Sequence, residues 1–347
     1  MTTDNSIRYD AVLFVSFGGP EGPDDVIPFL ENVLRGKPVP QERMLEVAEH
    51  YYQFDGVSPI NAQNRALIKA VESELSQQQV NLPVYWGNRN WHPMLTETFE
   101  QMQQDGVKRA LVFTTSAYSS YSGCRQYREN IEEAKSTLRG NIPATDKIRV
   151  FYNHPGFVNT IVDLLNESLS AFDDSERSNA TILFTAHSIP TSMADNCSYV
   201  TQLNETAKLV MAQIGENPWH LVYQSRSGPP SQPWLEPDIC DFVEHLAQRE
   251  TPNHLAIVPI GFISDHMEVM FDLDIEAKAA CEALDIKAVR VPTVGTNPQF
   301  VKMIVELIRE RTEAIEPKAL GTFGPSHDVC PIDCCLYTPK RPPTGRS

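Results

Sequence analysis

Eight short apolar runs, separated by longer amphipathic stretches, limit what this chain can become more than any other feature. The runs are AVLFVSF (11–17), PVYWGNR (83–89), RALVFTT (109–115), KIRVFYN (147–153), TILFTAH (181–187), HLVYQSR (220–226), LAIVPIGF (255–262) and KAVRVPT (287–293). Between them lie helical patterns such as DVIPFLENVLRG and NRALIKAVESELSQQ, and in the second Leu67, Ile68, Val71 and Leu75 recur at helical spacing. Strands alternating with helices predict βαβ units and parallel sheets covered on both faces.

The runs fall into two sets of four that echo each other. AVLFVSFGGP resembles TILFTAHSIP, VYWGNRNWHP resembles VYQSRSGPPSQPW, and LVFTTSAYSSY resembles AIVPIGFISDH. This predicts an α/β protein of two similar domains, residues 8–155 and 156–297. A last helix over 298–314 is expected to pack back on the first domain, and residues 316–347 form a cysteine-containing tail without period. A length of 347 residues suits two domains. In open parallel sheets ligands sit beyond the carboxyl ends of the strands. Two domains facing each other would close a cleft lined by Phe17-Gly18-Gly19, Asn88-Arg89-Asn90, 116–121, His187-Ser188, 224–227 and Ser264-Asp265-His266.

The formal charge of -16 argues against nucleic acid and anionic lipid as partners, and favours cations. No apolar run approaches the roughly 18 residues of a membrane helix. MTTDNSIRYD lacks the charged and apolar regions of a secretory signal, and the seven cysteines form no disulfide framework. A reducing, cytoplasmic setting is the expectation.

The sharpest local feature is SDHMEVMFDLDIE (264–276), five acids, one histidine and no lysine or arginine directly after a core strand. Glu268, Asp272 and Glu276 are spaced i, i+4, i+8, so on a helix they share one face and repel. The interleaved Met267, Val269, Met270, Phe271 and Leu273 predict that the helix is largely buried. A row of carboxylates leading inward suits a hard cation or a proton relay. Ser264 or Asp265 can cap this helix, and Asp265 and Asp274 lie off the row, where capping and solvation account for them. His187 follows a buried strand at the cleft edge, and histidine takes up and passes on protons near neutral pH. Arg35, Arg89 and Arg125 adjoin cleft loops and suit substrate carboxylates, which arginine grips bidentately. Aromatic residues near the same loops, Tyr121 and Tyr127 among them, suit a flat ligand. Cys330, Cys334 and Cys335 lie within six residues of tail. Clustered thiolates suit a soft metal, and a cluster needs four of them. Cys124 is the first candidate for the fourth and Cys197 the second.

At these residues the chain resembles the ferrochelatases along nearly its whole length. DGVSPIN, FTAHSIP, QSRSGPPSQPWLEPD and PIGFISDHMEVMFDLD match family motifs in order and at family spacing. SFGGPEGP, GNRNW, YSSYSGCRQY and the cysteine tail resemble the actinobacterial-type branch, whose members insert ferrous iron into coproporphyrin III and often carry a 2Fe-2S cluster. The resemblance implies the chelatase fold, two Rossmann-like domains with the porphyrin in the cleft between them. It implies His187 and Glu268 as catalytic and metal-binding residues, facing each other across the macrocycle. Asp272 and Glu276 match a row proposed as a metal path. Phe17, Arg35, Arg89, Ser119, Tyr121, Arg125 and Tyr127 become porphyrin contacts, and Cys124, Cys330, Cys334 and Cys335 cluster ligands. Some bacterial relatives end the first strand with a tyrosine, and the Phe17 ring found here cannot ligate iron. Beyond the porphyrin, the implied partners are an iron donor or a heme-accepting enzyme. Two other classes fit the same residues less closely: a non-catalytic tetrapyrrole or heme carrier, and a cobalt or nickel chelatase using His187 and His266.

Overall fold

The structure is a computed structural model, and it describes residues 8–37, 39–249 and 254–337. The expectations for the first seven residues and for the tail beyond residue 337 lie outside the described residues. Two four-stranded parallel sheets form the core. The first comprises β1 (Ala11–Ser16), β2 (Val84–Asn88), β3 (Arg109–Thr114) and β4 (Ala144–Lys147) in the order β2-β1-β3-β4. The second comprises β5 (Thr181–His187), β6 (Trp219–Gln224), β7 (His254–Val258) and β8 (Lys287–Arg290) in the order β6-β5-β7-β8. The same order twice accounts for the sequence echo.

The strands form where apolar residues run without a polar face. All six residues of β1 are buried, as are the first six of β5. Five of the eight runs contain their strand, and β6 and β7 each begin one residue ahead of theirs. The remaining run does not match: β4 ends at Lys147, where KIRVFYN was expected to begin pairing. The last ladder bond there runs from Ile148 N to Val112 O at 2.8 Å. Beyond it Arg149 turns toward the carboxylate of Glu310, and Phe151 packs on Phe157 and Phe300 at centroid distances of 5.6 and 6.0 Å. These residues are apolar because helices cover them, not because they pair in the sheet.

The helices that matter most for the site are α1 (Pro23–Leu34), α2 (Gln41–Tyr52) and α3 (Ile60–Gln77) after β1, with α4 (Leu95–Gln104) after β2. A π-helical turn (Tyr121–Arg125) leads into α5 (Gln126–Ser136) after β3. The chain then passes through α6 (Pro155–Leu169) and α7 (Asp174–Asn179) to β5, and through α8 (Thr191–Ala194) and α9 (Tyr199–Ile214) to β6. Helix α10 (Ile239–Arg249) precedes β7. Between β7 and β8 lie α11 (Met267–Val269), a π-helical stretch (Met270–Ala277) and α12 (Lys278–Ala283). The last helix, α13 (Pro298–Thr312), packs against α3 and α6. One buried cluster runs from Tyr9 and Phe14 of the first sheet through α6 and α13 to Phe184 and Val258 of the second. Among the described residues no helix is long and apolar enough to cross a membrane.

Candidate active site

In the second sheet the strand order reverses at β5, which has β6 on one side and β7 on the other. His187 is the last residue of that strand, at the switch point where open α/β sheets bind ligands. Its backbone is fixed: Ser188 N donates to Gln224 O at 2.7 Å, and the Tyr199 hydroxyl donates to His187 O at 3.1 Å. Its Nδ1 faces the carbonyl oxygen of Ser188. A carbonyl only accepts, so Nδ1 carries the hydrogen and the neutral ring presents its lone pair at Nε2. That Nε2 lies 3.6 Å from Glu268 Oε2, and the two side chains are 32% and 50% exposed.

Glu268 is brought there by the turn after β7. Gly261 N donates to Thr185 O at 3.0 Å, which holds this turn against β5. The helix cap is His266, not Ser264 or Asp265: its Nδ1 accepts from Glu268 N at 3.2 Å. Asp265 and Asp274 are not solvated acids either, since both pair with Arg290 of β8. His187 and Glu268, expected to face each other across a macrocycle, stand here side by side. A ring needs about 3.5 Å of clearance on each of its faces, and 3.6 Å separates the two heads. The pairing of β5 with β7 makes them neighbours.

Asp272 follows on the π-helical stretch, half-buried beside the end of β6. Its carboxylate accepts from the Ser225 hydroxyl and from Gln224 Nε2 at 3.3 Å. Ser225 adopts φ 61, a left-handed conformation unusual for serine, as the chain leaves β6. Burial above all, then Glu268 and Glu276, pushes the Asp272 carboxyl up to about 7. Burial and then Asp238 also raise Glu276. Glu268 and Glu276 thus both bear on Asp272, which lies between them on this segment.

The first sheet supplies cations and rings. The guanidinium of Arg89 lies 4.5 Å over the Tyr127 ring and 5.5 Å from that of Phe17, and its Nε donates to Asn130 Oδ1 at 2.7 Å. No carboxylate pairs with it among the described residues, and burial lowers its pKa. Lys37, which the sequence reading missed, follows α1; desolvation and the charge of Arg89 lower its pKa while Glu268 raises it. Its signal would have been Gly36, whose φ of 76 turns the chain at the helix end. The other expected porphyrin contacts are engaged elsewhere. Arg35 is turned onto Asn32. Both the amide and hydroxyl of Ser119 bond to Gln202. Tyr121 donates to Glu129 at 2.9 Å and packs near Tyr337. Arg125 pairs with Glu129 and donates to the carbonyls of Ile332 and Cys334 at 2.8 and 3.1 Å, so it anchors the tail instead of facing the cleft.

That anchoring gathers the cysteines. The π-helical turn forms because Ser120 Oγ accepts from Gly123 N at 2.9 Å and Gly123 has no room for a Cβ against Ser116. The turn points Cys124 inward, where it is 3% exposed. The Cys330 thiol couples to it, so that Cys330 is pulled down to about 6 as Cys124 is raised. Cys334 and Cys335 bring their sulfurs to 3.5 Å. All seven cysteines are free; Cys197 lies near Cys334, and Cys281 is core packing.

Comparison with known proteins accounts for this arrangement. The ferrochelatase family model matches residues 9–312. The chain belongs to the ferrochelatase family. It is 55% identical over 338 residues to the ferrochelatase of Rhodopirellula baltica, covering 97% of this chain and 96% of that protein. It is 50% identical over 359 residues to the coproporphyrin III ferrochelatase of Streptomyces coelicolor, covering 96% and 95%. Among solved structures, SirB from Bacillus subtilis with Fe3+ matches with a TM-score of 0.56 at 12% identity, over 88% of this chain and 96% of that one. A sirohydrochlorin chelatase SirB with cobalt gives 0.51 at 12% identity over the same shares. These likenesses show the two-domain chelatase fold. The enzyme is a lyase that inserts iron into a porphyrin in heme synthesis, which sets aside the non-catalytic carrier.

Proposed function

We propose that the porphyrin is coproporphyrin III and that His187 and Glu268 carry the chemistry from one face of it. Relatives bearing that name, 44 to 50% identical over at least 94% of the chain, support the substrate. The observation that carries the site is the His187 Nε2–Glu268 Oε2 pair at the switch point, with Nδ1 committed to a carbonyl. Inserting a divalent ion releases two pyrrole N–H protons, and the product is neutral at its centre. His187 Nε2 takes a proton from the ring, and Glu268 offers a carboxylate for the second proton or for the incoming ion. Asp272 and Glu276 continue the path, and Asp272, neither fully charged nor fully neutral near pH 7, can hold a proton or release it. Arg89, seated on Phe17 and Tyr127, holds a propionate, and Lys37 lies close enough to share in it. Binding at such remote carboxylates supports ring distortion at the centre.

The cleft lies between domains 8–155 and 156–297, with the helix over 298–314 returning to the first. The tail, Cys330, Cys334 and Cys335 with Cys124, fits a 2Fe-2S cluster. Cys334 and Cys335 bring their sulfurs to 3.5 Å, Cys330 lies within 4.8 Å of Cys334, and Cys124 is coupled to Cys330, so four thiols converge as such a cluster requires. When bound, the cluster supplies a one-electron centre; the chain's part is to hold three thiolates in a pinned loop against that of Cys124. The location is cytoplasmic, and an iron donor or a heme-accepting enzyme completes the set of partners.

Anaerobic assays with Fe2+ and each porphyrin test the substrate. The metalloporphyrin spectrum should develop at least about tenfold faster, as kcat/KM, with coproporphyrin III than with protoporphyrin IX, the worth of one further charged contact. Equal rates, or a preference for protoporphyrin IX, would sink the proposal.

A further inference from the structure

The tail loop carries one more donor than a four-thiolate cluster uses. A ring nitrogen of His327 and the sulfurs of Cys330 and Cys334 all lie within 4.8 Å of one another. His327 is exposed and the two thiols are half-buried, so an ion can reach them from solvent. The loop is held on both sides. Before it, Asn153 Nδ2 donates to Leu320 O and Gly324 O at 3.3 and 2.8 Å, and Arg311 faces Asp328 at 3.6 Å. After it, Arg125 donates to the Ile332 and Cys334 carbonyls, and Gln232 Nε2 to the Tyr337 hydroxyl at 3.2 Å. A loop tethered in this way loses little further freedom when its side chains close on a ligand.

We propose that His327, Cys330 and Cys334 form a site for a single divalent ion of borderline softness, of the Zn2+ or Fe2+ class, occupied as an alternative to the cluster. One imidazole and two thiolates select such ions; Mg2+ and Ca2+ want oxygen. Donors about 2.0–2.3 Å from a tetrahedral ion lie roughly 3.5 Å apart, so these three need close by no more than about 1.3 Å. The fourth position faces solvent, as in zinc sites that exchange a ligand. Cys330 and Cys334 belong to both arrangements, so the two cannot be filled together. Cys335, buried beyond Cys334, serves the cluster alone.

Co2+ titrated into the reduced, cluster-free full chain reads this directly. Thiolate ligation gives near-ultraviolet charge-transfer bands, and the His187–Glu268 site has no thiolate to produce them. The wild type should develop these bands to saturation at one equivalent. His327→Ala should weaken that binding at least about tenfold, and His327→Gln should do the same if the alanine variant folds poorly. Cys335→Ser should keep the bands while failing to assemble cluster absorption with iron and sulfide. A wild type that binds Co2+ here but assembles no cluster would leave this proposal standing and remove the cluster reading. Undiminished binding in both His327 variants, or loss in Cys335→Ser equal to that in His327→Ala, would overturn the site.

Discussion

Asp272 shows at one residue how the site balances burial against charge. Its folded-state pKa is raised to about 7, with burial the largest cause. Such a group costs nothing while both folded and unfolded chains are protonated, below about pH 4. From there its contribution falls as pH rises, and the loss is complete above about pH 7. Asp272→Asn should therefore stabilise the protein at pH 8 by roughly 1–3 kcal/mol and leave it unchanged at pH 4, read from denaturant midpoints at both pH values. A gain larger at pH 4 would contradict the sign. The acidic spacing of Glu268, Asp272 and Glu276 was visible in the sequence. The partners were not: Ser225 reaches Asp272 through a left-handed backbone, and Arg290 gathers Asp265 and Asp274 from another strand. Side-chain pattern announces neither. The fate of Arg125 was hidden for a similar reason, because its partners are carbonyls more than 200 positions along the chain.

At the scale of elements, the proposed catalytic pair depends on how closely the turn after β7 approaches β5. A Cβ on Gly261 would meet Ala186 Cα and Cβ at 2.7 Å, one residue before His187. Backbone cannot step aside as a flexible side-chain end can. Gly261→Ala should cost about 1–3 kcal/mol of stability and lower kcat, because His187 and Glu268 move apart. Unchanged kcat and an unchanged denaturation midpoint would mean that this approach does not position the pair. The π-helical stretch Met270–Ala277 is a second such element: π-helical turns recur at functional sites, and this one carries Asp272 and Glu276. Apolar periodicity predicts a helix there but does not distinguish α from π. The same limit applies to KIRVFYN, since a short apolar run beneath helices reads like one within a sheet.

At the scale of the molecule, the two sheets share a core with α6 and α13, so they form one packed body. The two-sheet architecture was legible because both halves repeat one strand–helix grammar and only parallel sheets satisfy it. A buried ion pair was not legible: Arg149, between the halves, bonds Glu310 of α13 at 2.8 and 2.9 Å, with the side chains 1% and 4% exposed. Arg149→Ala leaves that carboxylate buried without its partner and should cost about 3–5 kcal/mol in denaturant unfolding. A loss under about 1 kcal/mol would show that solvent or Lys318 makes good the charge. By the proposed mechanism, the imidazole nitrogen and carboxylate held 3.6 Å apart at the end of β5 carry the chemistry. The direct test is single-turnover metal insertion by His187→Ala, with porphyrin binding followed in parallel by fluorescence. The variant should bind coproporphyrin III with a Kd within a few-fold of wild type, while insertion of Fe2+ slows by at least about a hundredfold. Insertion at near wild-type rate would contradict the account.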